Sequence, residues 1–169
     1  GVRRRQPAPP FTTSTMQQEA SRKLNFQARK TMKVAQELYE GVEVKGFGSV
    51  GLITYMRTDS LRLSQDALNA AAAFIHQRYG DDYYSGPRTY KTKAGAQDAH
   101  EAIRPTYINN HTIEGTAAEK RLYELIWKRT VASQMVAADI NRTTITINMS
   151  GSVEKFVATG EVVTFDGFL

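Results

Sequence analysis

Apolar residues recur at helical spacing along most of the chain and give way to a two-residue alternation near residue 138. Met16, Ala20 and Leu24 fall four apart, which predicts a helix over about 15–24 with one buried stripe. Ser14 with Gln17, or Thr15 with Gln18, fits a capping box at its start. Asn25 and Phe26 read as a short turn. Ala28, Met32, Ala35 and Tyr39 predict a second helix over about 28–40, with Gly41 suited to its C-terminal end. Leu68, Ala71, Ala72, Ile75 and Tyr79 predict a third over about 65–79. Ser64 caps it, Asp66 favours its first turn and Gly80 ends it. Thr116 and Glu119 form another capping box, opening a last helix that runs to about 136. Leu122, Leu125, Ile126, Ala132 and Met135 face inward there and Trp127 packs beside them. Beyond 138, Ile145, Ile147 and Met149 alternate with Thr144, Thr146 and Asn148. Residues 150–152 read as a turn and 154–165 as a second, less regular strand. Helices followed by paired strands define an α+β chain, mainly helical, with a boundary near 138.

Two stretches break this pattern. Residues 1–11 are basic and then rich in proline, at Pro7, Pro9 and Pro10, which predicts an extended connector. Residues 41–51 carry Gly46, Gly48 and Gly51, which satisfy G-x-G-x-x-G. A dinucleotide site is rejected, because that fingerprint follows a strand and opens a helix. Here the extended run 51–60, GLITYMRTDS, comes next, so a loop or hairpin turn is expected.

The run 51–60 holds the first candidate chemistry. On a strand, Ile53, Tyr55 and Arg57 share a face. A phenol is a nucleophile only with assistance, given its ordinary pKa near 10. A guanidinium matches phosphate oxygens. Spacing alone favours a packed strand tyrosine beside a surface arginine, since tyrosines are common in strands. In residues 96–106, AQDAHEAIRPT, a short helix would set His100 and Arg104 on one side. The zinc motif H-E-x-x-H is excluded because position 104 is Arg. His100 is either a donor to phosphate or a satisfied structural histidine. His76 reads as a surface histidine. In residues 80–95, Tyr83, Tyr84, Arg88, Tyr90, Lys91 and Lys93 would suit single-stranded nucleic acid; a surface loop whose tyrosines cover the core edge is the preferred reading.

Charge adds a partner. The net charge is +5, from 22 basic and 17 acidic residues, with a pI of about 9.5. Between residues 1 and 33 the basic residues are Arg3, Arg4, Arg5, Arg22, Lys23, Arg29, Lys30 and Lys33, against Glu19 alone. Such clustering suits nucleic acid or a solvated basic arm. The first two predicted helices form a helix-turn-helix candidate, with Arg29, Lys30 and Lys33 on the outer face of the second. The hydrophobic share is 41% and the mean hydropathy −0.44, enough for a core in a soluble protein. No apolar run nears the ~20 residues of a membrane span, and no secretory signal opens the chain. The absence of cysteine excludes disulfides and thiolate metal sites. The three histidines show no metal-ligand spacing. With Gly1 in place of an initiator Met, the chain is expected to be a segment of a longer protein.

GLITYMRTDS, with PAPPFTTSTMQQEASRKL before it and AHEAIRPT after it, closely resembles the bacterial type IA DNA topoisomerases. The likeness runs in the same order from about residue 7 to 169. It implies a winged-helix-like tyrosine domain over 13–137, with the glycine loop as the wing. Residues 1–12 and 138–169 would then be a connector from, and strands of, an adjoining β-rich arch domain. It implies that Tyr55 is the nucleophile that cleaves one DNA strand and joins its 5′ phosphate, relaxing negative supercoils without a nucleotide triphosphate. Arg57 would assist at the phosphate, and His100 would contact the bound strand, with Arg104 as a further donor. Arg29, Lys30 and Lys33 would bind DNA. Thr54 and Asp59 belong to the motif but receive no chemical step. The resemblance places Mg²⁺ and a general-acid glutamate in a domain preceding this chain, so no metal is assigned here. A single-stranded DNA segment, the remaining domains of the same polypeptide, a monomeric state and a cytoplasmic, nucleoid-associated location follow. So does inactivity of the segment alone. A non-catalytic winged-helix DNA-binding module is the alternative. A tyrosine recombinase, which would want several arginines about the nucleophile and a 3′ linkage, is not supported.

Overall fold

The first helix, α1 (Thr13–Leu24), begins two residues before its apolar spacing suggests. A computed structural model describes residues 1–44, 48–92, 100–151 and 153–169, with backbone alone for 42–44. In it Phe11 forms an antiparallel bridge with Ile103, so the backbone is still extended at Thr12, with φ −96° and ψ 173°. An N-cap needs that conformation. Thr12 Oγ1 accepts from Thr15 N at 3.3 Å, and Thr15 Oγ1 accepts from Thr12 N at 2.9 Å. The capping box is therefore Thr12–Thr15 and neither expected pair. Ser14 Oγ instead accepts from the Gln18 amide at 3.2 Å. Met16 and Ala20 are buried as expected. The helix ends at Asn25, which takes a left-handed φ of 57°.

The helix α2 (Ala28–Glu40) has the expected bounds, but its buried face is turned by about one residue. Thr31, Val34, Ala35 and Leu38 are buried, whereas Tyr39 is 40% exposed. The cause is tertiary: α2 packs on both α1 and a later helix, α4 (Ala117–Ser133), so the wider apolar arc wins. Next come two short antiparallel strands, β2 (Val42–Val44) and β3 (Gly48–Val50). They match the expected hairpin; Gly46 lies outside the described residues. Two glycines are required by close approach. A Cβ on Gly41, at φ +82°, would lie 1.7 Å from Val50 O, and one on Gly51 would lie 2.8 Å from Tyr39 O. With Leu52 N donating to Leu38 O at 2.9 Å, they dock the exit of the hairpin on the end of α2.

The run 51–60 is not a sheet strand. It forms one isolated bridge, Ile53 with Pro105, and its other backbone bonds go to Leu38 of α2, to Thr13 at the start of α1 and to residues 104–106. The third helix, α3 (Gln65–Tyr79), is capped by Ser64, whose Oγ accepts from Ala67 N at 3.2 Å, and buries Ala71 and Ile75. In α4 the Thr116–Glu119 box is reciprocal, as expected. It buries Leu122, Tyr123, Ile126, Trp127 and Val131. It stops at Ser133, and the side chain of the next residue, Gln134, clasps both backbone groups of Arg88 at 3.0 Å. Together Phe11, Met16, Leu38, Ile53, Met56, Ile75, Ile103, Leu122 and Ile126 make one core.

The tyrosines after α3 engage the chain itself. Tyr83 donates to Asp166 and Tyr90 to Ser133 O, each at 2.7 Å, while Tyr84 packs on the His76 ring at 5.0 Å. Arg88 donates to Gln6 at 3.0 Å. This fits the surface-loop reading; Lys93 lies outside the described residues. His76 is a surface histidine, 2.8 Å from the Asp81 carboxylate.

The connector 1–12 contains a strand, β1 (Val2–Arg5), which pairs antiparallel with β4 (Ala138–Asn148); β4 pairs in turn with β5 (Lys155–Phe165). The sheet order is β1–β4–β5, with Val2 opposite Asn141 and Ile145 opposite Ala158. Ala138 and Ile140 are buried, and from Asn141 onward β4 is exposed. Ile145 and Ile147 are each more than half exposed. Their alternation marks a strand correctly, but that row is not covered by the core.

Candidate active site around Tyr55

Tyr55 is exposed on a backbone that is held on both sides. On one side, Thr54 N donates to Arg104 O at 2.9 Å. The Thr54 hydroxyl donates to Ala102 O at 2.8 Å and accepts from Arg104 N at 3.0 Å. On the other side, Met56 is 1% exposed, and its carbonyl accepts from the Thr13 hydroxyl at 2.7 Å. A second grip comes from Thr13 N, which donates to Thr58 O at 2.9 Å. Exposure alternates over 55–60: Tyr55, Arg57 and Asp59 are exposed, and Met56, Thr58 and Ser60 are buried. Tyr55 and Arg57 thus both reach solvent. Ile53, expected on their face, is 2% exposed, because its bridge to Pro105 turns it into the core.

The phenol ring lies between two other rings. Tyr39, from the end of α2, meets it edge-on, with centroids 5.4 Å apart and planes at 66°. His100 lies at 5.6 Å and 40°. Helical spacing predicts Tyr39 in the core; docking of Gly51 and Leu52 on α2 carries it to the site instead. Such contacts are worth about 0.5–1.5 kcal/mol beyond area burial, enough to restrict the ring without burying it. The described part of residues 96–106 is not a helix. Residues 100–106 form an extended strap, bridged to Phe11 through Ile103 and to Ile53 through Pro105. The strap brings His100 to Tyr55 and takes Arg104 into a different environment.

Arg104 is largely buried, with 16% of its side chain exposed. Its Nε and Nη2 donate to the two Glu101 carboxylate oxygens at 3.0 Å each, and Nη1 donates to Pro105 O at 3.1 Å. The shared face of His100 and Arg104 is therefore corrected: the guanidinium is occupied by a carboxylate three residues before it. Glu101 also accepts from Ser64 N, the N-cap of α3, at 2.6 Å. Burial pushes the Glu101 carboxyl up, and the hydrogen bonds from Arg104 and Ser64 with the Arg104 charge outweigh it, so its pKa lies below the ordinary value. Arg57 makes no hydrogen bond or ion pair with the described residues.

Arg29, Lys30 and Lys33 are exposed on α2. Lys30 Nζ sits 4.4 Å from the centre of the Phe26 ring. Arg29 and Lys30 lie in the first turn of α2 and Lys33 near its middle, about 9–15 Å along the axis from Tyr39 at 1.5 Å per residue. Thr54, Tyr39 and Glu101 are the site residues that sequence reasoning did not use. The available signal was a carboxylate three before an arginine at Glu101, but such pairs usually sit on helices.

A family model described as DNA topoisomerase matches residues 2–169, and the chain belongs to that family, in its type IA branch. It is 51% identical over 180 residues to DNA topoisomerase 1 of Xylella fastidiosa strain Temecula1, covering 99% of this chain and 21% of that protein. The same identity and coverage hold for DNA topoisomerase 1 of strain 9a5c. The fold matches full-length topoisomerase I from Thermotoga maritima with a TM-score of 0.84 and 41% identity, over 99% of this chain and 27% of that one. The chain thus spans about a fifth to a quarter of the relatives it matches.

Proposed function

We propose that this chain is the tyrosine domain of a type IA DNA topoisomerase and that Tyr55 is its strand-cleaving nucleophile. The mounting of Tyr55 carries this reading: an exposed phenol held between two rings, on a backbone pinned by Thr54 and Met56. A reacting atom must be held in place to gain from proximity. Tyr55 Oη gives up its proton and attacks the phosphorus of one phosphodiester. An Oη–P bond forms, the P–O3′ bond breaks, and the leaving 3′ oxygen takes up a proton. The strand stays 5′-linked to Tyr55 while another strand passes. The 3′ hydroxyl then reverses the reaction and frees the tyrosine. Arg57, without a partner among the described residues, is available to the charge that develops on phosphate. His100, whose ring lies beside the phenol, would donate to the same group or to the bound strand. Arg29, Lys30 and Lys33 offer a separate phosphate-binding surface on α2.

The order α1, α2, hairpin supports a winged-helix arrangement with β2–β3 as the wing. Pairing of β1 with β4, and the end of burial at Ile140, support division at about 12 and 137, with the strands joining an arch domain. The described residues contain no group of three His, Cys, Asp or Glu side chains able to hold a metal. No helix of the described residues is long and apolar enough to cross a membrane. A monomeric cytoplasmic enzyme acting on the nucleoid is the setting proposed for the whole polypeptide.

In the full-length enzyme, Tyr55→Phe is expected to keep single-strand affinity and to abolish the covalent 5′ adduct with an oligonucleotide. The isolated 169-residue chain is expected to form none. An adduct with Tyr55→Phe overturns the assignment. Preferential duplex binding through α2, with no adduct from the unaltered full-length enzyme, supports the non-catalytic module instead.

A further inference from the structure

Glu101 is a half-buried carboxylate, its side chain 19% exposed, that the proposed transesterification does not use. Its two oxygens tie the 100–106 strap to the start of α3. Oε1 accepts from Ser64 N at 2.6 Å and from Arg104 Nε at 3.0 Å, and Oε2 accepts from Arg104 Nη2 at 3.0 Å. Arg104 is held by Thr54 through both of its backbone groups, at 2.9 and 3.0 Å. Thr54 is covalently next to Tyr55, and Glu101 is covalently next to His100. Ala102 N donates to Arg62 O at 2.8 Å, so the strap is tied to the chain before α3 at a second point. A path of hydrogen bonds thus runs from the start of α3, through one ion pair, to the backbone on which both Tyr55 and His100 stand.

We propose that Glu101 and Arg104 are positioning residues for strand cleavage: their ion pair holds the 100–106 strap against residue 54 and so sets the phenol of Tyr55 against His100. Arg104 then contacts no phosphate, against the expectation from its place after His100 in the sequence. A carboxylate at the start of a helix also gains from the unpaired N–H groups there. A bidentate guanidinium–carboxylate pair fixes angle as well as distance. Small misplacement of a reacting group is costly, about 100-fold in rate for 1 Å. The inference rests on the reading of Tyr55 as nucleophile.

The test uses the full-length enzyme and a single-stranded oligonucleotide, in single-turnover cleavage and in binding across a salt series. Glu101→Ala and Arg104→Ala are each expected to slow the cleavage rate constant about 10- to 100-fold, with affinity within about twofold and the salt dependence of binding unchanged. A variant that merely folds less loses adduct amplitude rather than rate constant. Glu101→Gln and Arg104→Lys keep part of the geometry and are expected to fall between. Arg104→Ala with weakened binding and a salt slope reduced by about 0.7, the loss of one single-strand phosphate contact, overturns the proposal. Unchanged cleavage rate constants in both alanine variants do so as well. Tyr55→Phe in the same assay separates the two claims, since an adduct there defeats the nucleophile assignment whatever Glu101 does.

Discussion

The phenol proposed to attack phosphate must reach solvent on a held backbone, and the residues beside Tyr55 provide both. Thr54 bonds to Ala102 and Arg104, and Met56 is buried. Tyr123 has the opposite environment. It is 2% exposed, its hydroxyl donates to Asn110 O, and burial pushes its pKa up to about 12 from 10.0. The folded value is raised, so the contribution to stability is complete below pH 10 and is lost between about pH 10 and 12. In that window the unfolded chain alone releases the proton. Denaturant titrations across it are expected to show a decline of up to about 2–3 kcal/mol from Tyr123. Tyr123→Phe removes that part of the decline, at about 1 kcal/mol near neutral pH for the lost hydrogen bond.

At the scale of elements, the start of α1 distinguishes a local signal from a tertiary one. Three hydroxyl residues precede Thr15, and any of them is chemically able to cap. Thr12 does so because the Phe11–Ile103 bridge holds the chain extended up to that point. Thr12→Ala is expected to destabilise the chain by about 1 kcal/mol in urea unfolding followed by circular dichroism. Ser14→Ala, which removes only an exposed bond to Gln18, is expected to stay within about 0.5 kcal/mol. An equal loss at both positions would show that the box is not seated at Thr12. The same bridge seats the strap that carries His100, so one contact serves both the helix start and the candidate site.

At the scale of the molecule, charge and chemistry occupy different ends of α2. Tyr39 stands beside Tyr55 at one end, and Arg29, Lys30 and Lys33 lie toward the other. If these three cations each meet a phosphate, replacing all three by Ala in the full-length enzyme is expected to reduce the slope of log affinity against log salt by about 2 for a single strand. The cleavage rate constant at saturating oligonucleotide should be unchanged. The sheet adds a second whole-molecule feature: β1 joins β4 across most of the sequence, with Gly1 N donating to Arg142 O at 2.8 Å. Residues near the two ends of the chain are thereby neighbours beside the helical core.

Features decided within a few residues were legible in the sequence. The bounds of α2 and α3, the Thr116–Glu119 box, the β2–β3 hairpin and the alternation of β4 follow from caps, glycines and periodicity, which act over one or two turns of chain. The motifs about Tyr55 and His100 were legible too, as a resemblance. Tertiary structure decided what those signals could not reach. The run 51–60 has alternating side chains but no sheet partner, because its backbone bonds go to the strap, to Leu38 of α2 and to Thr13. Tyr39 leaves the core because α2 is buried on two sides. His100 and Arg104 part because their strap is extended, which gives the ring to Tyr55 and the guanidinium to Glu101. Each outcome depends on contacts between residues tens of positions apart, and spacing along one segment carries no record of them.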